Sequence, residues 1–157
     1  AIYGTRRQDA WGWTLDALEA IADYSAPKGV TIVVEPTSSD SNLVDSIDDA
    51  RLLRDQCGRD NVGIMFDTAH AFFRHDQPVD YVHQLGDELS HVHLADYDRT
   101  APGDGGYDFT DLMQALRDVS YTGYVTIEAG FTKRSTDPFA VARRGLAYLK
   151  EVEAVLV

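Results

Sequence analysis

Four short apolar segments, T-I-V-V-E, G-I-M-F-D, H-V-H-L and Y-V-T-I-E, each contain or end on a side chain able to bind a cation: Glu35, Asp67, His93 and Glu128. These positions are 32, 26 and 35 residues apart, and each interval has room for one strand–helix unit. Neighbouring side chains along a strand point to opposite faces. Ile32 and Val34, Ile64 and Phe66, Val92 and Leu94, and Val125 and Ile127 therefore form one apolar face. The other face holds Val33 and Glu35, Met65 and Asp67, His91 and His93, and Thr126 and Glu128. A sheet covered by helices on both faces would leave that constant polar parity unexplained. The pattern predicts parallel strands with helices on one side and all four polar groups on the other, as inside a β/α barrel.

Helical periodicity fills the intervals. A first helix is predicted over 11–26, with Leu15, Leu18, Ile21 and Ala22 on its apolar face and Pro27-Lys28-Gly29 as its stop. Strand 31–35 and a polar loop, 36–42, come next. Leu43, Ile47, Ala50 and Leu53 then mark a second helix, and 58–61 turns the chain into strand 62–67. Helical stretches are expected at 70–74 and 78–89, the latter with Pro78 in its first turn. Strand 91–95 leads into a long loop, 96–107, read as a flexible segment beside the site. Asp108 precedes a helix bearing Leu112, Leu116 and Val119, and strand 124–128 follows. The last helix, from about Pro138, places Ala142, Leu146, Leu149, Val152 and Leu156 at helical spacing.

The order is αβαβαβαβα. A complete (β/α)₈ barrel needs eight strands and about 250 residues, whereas 157 residues supply four strands. The expectation is a single (β/α)₄ half-barrel over residues 1–157. The chain begins without Met and close to a helix, so it reads as a fragment, a trimmed chain, or a half that pairs. Its partner would be a missing amino-terminal half or a second copy in a homo-oligomer.

Composition narrows the function. There are 26 acidic and 14 basic residues, a formal net charge of −12, which repels phosphate backbones and anionic bilayers. Neither nucleic acid nor membrane is expected as a partner. No apolar run is long enough to span a bilayer, and no signal-peptide pattern opens the chain. Cys57 is the only cysteine and reads as a small core residue, so a reducing, cytoplasmic setting is expected. His75 and His83 read as surface residues, and Trp11 and Trp13 as packing groups. Asp96 stays open between a place beside the candidate ligands and a loop cap.

The motifs V-E-P at 34–36, F-D-T-x-H at 66–70, H-x-H-x-x-D-x-x-R at 91–99, P-G-x-G at 102–105 and T-I-E at 126–128 occur in order at successive strand ends. Together they resemble the carboxyl-terminal half of the xylose isomerase-like TIM barrels, in the sugar (and sugar-phosphate) isomerase/epimerase branch with the ketose 3-epimerases. The resemblance implies that Glu35, Asp67, His93 and Glu128 are the metal ligands, and that Glu35 and Glu128 are catalytic. It implies further that His70 and Arg99 bind substrate and that His91 supports the ligand His93. Ketose 3-epimerases usually carry another glutamate six residues after the first ligand. Here that position is Ser41.

The implied chemistry suits these residue types. Three carboxylates and one imidazole form a hard, oxygen-rich set that favours Mn²⁺, with Mg²⁺, Co²⁺ or Zn²⁺ as substitutes. Moving a proton beside a ketone creates an enediolate, which a divalent cation stabilises while one carboxylate removes the proton and another returns it. The function expected is a divalent-metal-dependent sugar isomerase or epimerase acting on a ketose or related polyol ketone. The alternatives are a keto-inositol isomerase or dehydratase with the same ligands, or a non-catalytic half-barrel that assembles with another chain. Apurinic-site endonucleases also use an Asp-x-x-His pair, but their further Asp-x-His element is absent here and the acidity opposes DNA binding.

Overall fold

The computed structural model describes residues 4–38, 41–130 and 137–156; Ser39 and Asp40 of the predicted polar loop lie outside them. The chain divides into two units, residues 1–65 and 66–157.

In the first unit, helix α1 (Arg7–Ser25) leads to strand β1 (Ile32–Val34) and helix α2 (Ile47–Cys57), after which strand β2 (Val62–Asp67) begins. The start of α1 lies four residues ahead of the predicted one. Arg6 occupies its cap position, and both Arg6 guanidinium contacts with Asp9, in the first turn, are 2.8 Å. Leu18, Ala22 and Ser25 are the buried residues of α1, whereas Ile21 is half-exposed. The predicted face is therefore rotated. The cause is Asn61, whose amide nitrogen donates to the Ala22 carbonyl (3.0 Å), Ser25 Oγ (2.9 Å) and the Val30 carbonyl (3.2 Å). That anchor turns Ala22 and Ser25 inward and leaves Ile21 outside. Ser46 caps α2 by accepting from Asp49 N–H, and Ile47, Ala50, Leu53 and Cys57 form its buried stripe. Leu43 precedes this helix and is not part of it. Trp11 is partly buried and donates its indole N–H to Gln56 Oε1 at 2.7 Å, whereas Trp13, expected to pack, is mostly exposed.

The second unit contains α3 (Thr68–Phe73), α4 (Pro78–Leu85), strand β3 (Leu89–Leu94), α5 (Thr110–Asp118), strand β4 (Val125–Ile127) and α6 (Pro138–Val155). Phe66, Val82, Leu85, Val92, Leu94, Phe109 and Leu112 form its buried apolar centre. The four strands make one parallel sheet in the order β1-β2-β3-β4. Ile32 pairs with Val62 and Val34 with Ile64; His93 pairs with Thr126 and Leu94 with Ile127.

The predicted parity shows in β3 and β4, whereas both faces of β2 are buried. Val34, Ile64, Phe66, Val92 and Leu94 are buried. On the alternate positions His91 and His93 are partly exposed and Thr126 and Glu128 exposed, while Met65 and Asp67 are buried. His75 and His83 are exposed as expected. Among the described residues, no helix is long and apolar enough to cross a membrane.

Helix α6 corrects a second predicted face. Its buried residues are Val141, Gly145, Leu149 and Val152, while Ala142 and Leu146 face outward. Gly145 decides the rotation: a Cβ there would lie 3.1 Å from both Ile127 Cδ1 and Pro102 Cδ. The helix backbone itself packs on β4 and the loop, an approach that a larger residue would block. Replacing Gly145 with Val should lower the unfolding free energy by about 1–3 kcal/mol through overpacking. Urea denaturation would check this, and an unchanged midpoint would refute the close approach.

Candidate metal and substrate site

Asp67 is both the last residue of β2 and the N-cap of α3. Its Oδ1 accepts from Ala69 N–H at 2.8 Å, which satisfies one of the open donors of the helix start. This strand-to-helix elbow fixes the carboxylate and leaves Oδ2 directed elsewhere. The next residue, Thr68, is fully buried and ties two strand ends together. Its Oγ donates to the Ala95 carbonyl at 2.6 Å and accepts from Ala95 N–H at 2.8 Å. That clasp sets the end of β2 against the end of β3, which presents His93. The β3–β4 register then carries the chain to Glu128, whose N–H donates to the Leu94 carbonyl at 2.9 Å.

Asp67, His93 and Glu128 each offer a ligand atom, and these atoms lie within 4.8 Å of one another. His93 Nδ1 is 3.1 Å from Glu128 Oε2. His91 stands apart from this group through its own contact, Nε2 to Thr126 Oγ1 at 3.1 Å, with its ring 5.1 Å from that of His93 and edge-on to it. Glu35, in the first unit, directly follows β1 and is partly buried. Ser41, at the position of the family's second glutamate, shapes its own loop instead, since its Oγ accepts from Leu43 N–H (3.0 Å) and Val44 N–H (3.2 Å).

The two substrate-binding candidates meet in the same unit. Arg99 places Nη2 3.0 Å from Asp67 Oδ2 and Nη1 2.9 Å from Glu128 Oε2. Its Nη2 is also 3.3 Å from Nε2 of the buried His70. A guanidinium can only donate, so His70 Nε2 is the acceptor and the ring proton belongs on Nδ1. One planar cation thus touches two candidate ligands and the candidate substrate histidine.

The electrostatics of the carboxylates differ. Asp67 is only 1% exposed, and burial pushes its pKa up to about 7. The Ala69 N–H and the Arg99 charge pull the other way, but the neighbouring Glu128 reinforces the rise. The Arg99 approach, though only 3.0 Å, is not an aligned hydrogen bond, since Oδ2 makes none among the described residues. Burial therefore prevails over the ion pair. Glu128 behaves oppositely. Burial opposes its ionisation, yet its interaction with Asp67, the hydrogen bond from Arg99 and the charges of His93 and Arg99 lower its pKa from the ordinary value. A buried oxygen lacking an aligned donor, within reach of a second carboxylate and an imidazole, fits a hard divalent cation.

A family model for the xylose isomerase-like TIM barrel matches residues 2–152. The chain belongs to that family. Among its relatives, the 3-dehydro-D-guloside 4-epimerase of Escherichia coli strain K12 is 32% identical over 136 residues, covering 86% of this chain and 51% of the relative. The L-ribulose 3-epimerase of Methylomonas sp. strain DH-1 is 29% identical over 123 residues, covering 78% and 43% respectively. The apo crystal structure of an E. coli 3-keto-D-glucoside 4-epimerase superposes with a TM-score of 0.84 at 28% identity, over 94% of this chain and 56% of that one. The chain thus spans about half the length of the relatives it matches. Sugar epimerases and inosose dehydratases both occur among them.

The sequence reading of this barrel family is borne out, and Asp67, His93, Glu128, His70 and Arg99 fall in one place. Sequence alone undervalues two residues. Thr68 stands within F-D-T-x-H, but its clasp on Ala95 depends on tertiary contact. Asp96, open between two roles in the sequence, is buried beneath the 97–107 loop.

The raised Asp67 pKa has a measurable sign. The folded chain keeps a proton that the unfolded chain sheds above about pH 4, so stability falls as pH rises from about 4 to about 7. In metal-free protein Asp67→Asn should flatten that slope, a difference of a few kcal/mol at most. Urea midpoints at pH 5 and pH 7.5, with chelator, would check it; an equal slope in both proteins would contradict the assignment.

Proposed function

We propose that this chain carries the proton-handling half of a divalent-metal-dependent sugar isomerase or epimerase, acting on a ketose or related polyol ketone. The observation that supports it most is the grouping of Asp67, His93 and Glu128 around a buried carboxylate oxygen with no aligned hydrogen bond among the described residues. On this reading Glu35 joins them as the fourth ligand of one cation. Mn²⁺ is the favoured ion, with Mg²⁺, Co²⁺ or Zn²⁺ as substitutes. The ion would supply positive charge beside the substrate's carbonyl, raising the acidity of the neighbouring C–H.

On this reading Glu35, which follows β1, and Glu128, which follows β4, reach the substrate from two sides. One carboxylate removes the proton from the carbon beside the ketone. The C–H electron pair becomes the C=C bond of an enediolate, and the carbonyl electrons move to oxygen. The other glutamate, protonated, delivers its proton to the opposite face as the C=O bond re-forms. The carbon is inverted, and the two glutamates have exchanged protonation states. Arg99 holds substrate oxygens with its fixed donor fork, and His70 orients the guanidinium and adds a donor at Nδ1. His91 steadies β3 beside His93.

On this reading the barrel is completed by a missing amino-terminal half or by a second copy of this chain. A cytoplasmic setting goes with this role in small-molecule metabolism. A second reading, keto-inositol isomerisation or dehydration, is favoured by the inosose dehydratase of Clostridium beijerinckii among the relatives.

Incubating the chain with Mn²⁺ and ketohexoses in D₂O should give an epimer carrying one deuterium at the inverted carbon. Chelation should abolish this, and Glu128→Gln should slow it by about 10²–10⁴-fold. Dehydrated product from inososes alone would favour the second reading. Epimerisation that persists without metal, or at the wild-type rate in Glu128→Gln, would overturn the mechanism.

A further inference from the structure

We propose that Asp96 is a positioning residue for Arg99. Asp96 follows β3 and is fully buried, and its carboxylate gathers five backbone N–H groups. Oδ1 accepts from Tyr97 (2.8 Å) and Tyr107 (2.9 Å); Oδ2 accepts from Gly103 (2.9 Å), Gly105 (3.0 Å) and Gly106 (3.2 Å). These donors come from both ends of the 97–107 loop, so one anion closes it like a drawstring. The P-G-x-G motif, read from sequence as a flexible segment, is instead the wall of an intramolecular anion nest. Its glycines leave room for the carboxylate: a Cβ on Gly105 would lie 2.6 Å from Asp96 Oδ1 and 2.7 Å from Tyr97 N.

Arg99 sits inside the closed loop in an unfavourable backbone state. Asp98 and Arg99 have φ of 58° and 54°, the left-handed region that side chains other than glycine avoid. Surrounding bonds hold them there. Asp96 N–H donates to the Thr100 carbonyl (2.9 Å), Thr100 N–H to the Tyr97 carbonyl (3.2 Å), and Gly130 N–H to the Arg99 carbonyl (2.6 Å). That backbone state aims the guanidinium at Asp67, Glu128 and His70. The five hydrogen bonds made by the Asp96 carboxylate go to loop amides, not to those three side chains, so its effect on the site passes through Arg99.

The role of Arg99 in turnover rests on the proposed reaction, whereas its placement by Asp96 does not, and the test separates the two. In ¹⁵N-labelled full chain, Asp96→Asn should remove the slowly exchanging Arg99 guanidinium signals and speed amide exchange at Gly103, Gly105, Gly106 and Tyr107. Gly105→Ala, which keeps the charge but crowds it, should change the same Arg99 signals should the first variant fold poorly. With a ketose, Asp96→Asn should raise KM at least tenfold while kcat moves less. Added to Arg99→Ala, it should change KM less than twofold. Unchanged Arg99 signals in either variant, or KM effects that multiply, would overturn the proposal. If wild-type chain turns over no ketose, the proposed reaction falls and the Arg99 signals alone decide the placement.

Discussion

A carboxylate buried where a strand becomes a helix has to be compensated, and the second unit is organised around that requirement at Asp67. One oxygen is satisfied by the start of α3; the other is held near a guanidinium, a second carboxylate and an imidazole. Burial alone would neutralise the group, which is the direction its pKa takes. A proton, the Arg99 cation and a divalent metal are alternative answers to the same negative charge. The site is therefore a place where positive charge is wanted, and the surrounding chain decides where it can come from.

Positioning depends on backbone devices more than on the ligand side chains. Thr68 clasps Ala95, the β3–β4 register sets Glu128 one residue past the last pair, and Asp96 closes the loop that carries Arg99. Each satisfies buried polar groups while fixing a direction, since an unpaired buried group would be costly. Rigid strand ends with stitched loops hold such side chains in fixed geometry.

Much of this is legible in the sequence because period-two alternation is a strong signal. The apolar pairs Ile64/Phe66 and Val92/Leu94 and the polar ends Asp67 and His93 can be read directly from it. The motif order then locates His70 and Arg99. Helix faces are less legible. The α1 face turns on one amide, Asn61, and the α6 face on the absence of a side chain at Gly145, both long-range matters that helical periodicity does not encode. The fate of Asp96 is hidden for a similar reason. Five amides from a glycine-rich loop reach it only once the loop has folded back.

The central proposal is that Asp67, His93 and Glu128, joined by Glu35, hold one divalent cation. Diffraction from crystals grown with Mn²⁺, recorded at the manganese edge, tests it most directly. The account predicts a single anomalous peak within coordination distance of all four residues, with Arg99 drawn away from Asp67 or sharing it. A peak elsewhere, or none while Arg99 still bridges Asp67 and Glu128, would contradict it.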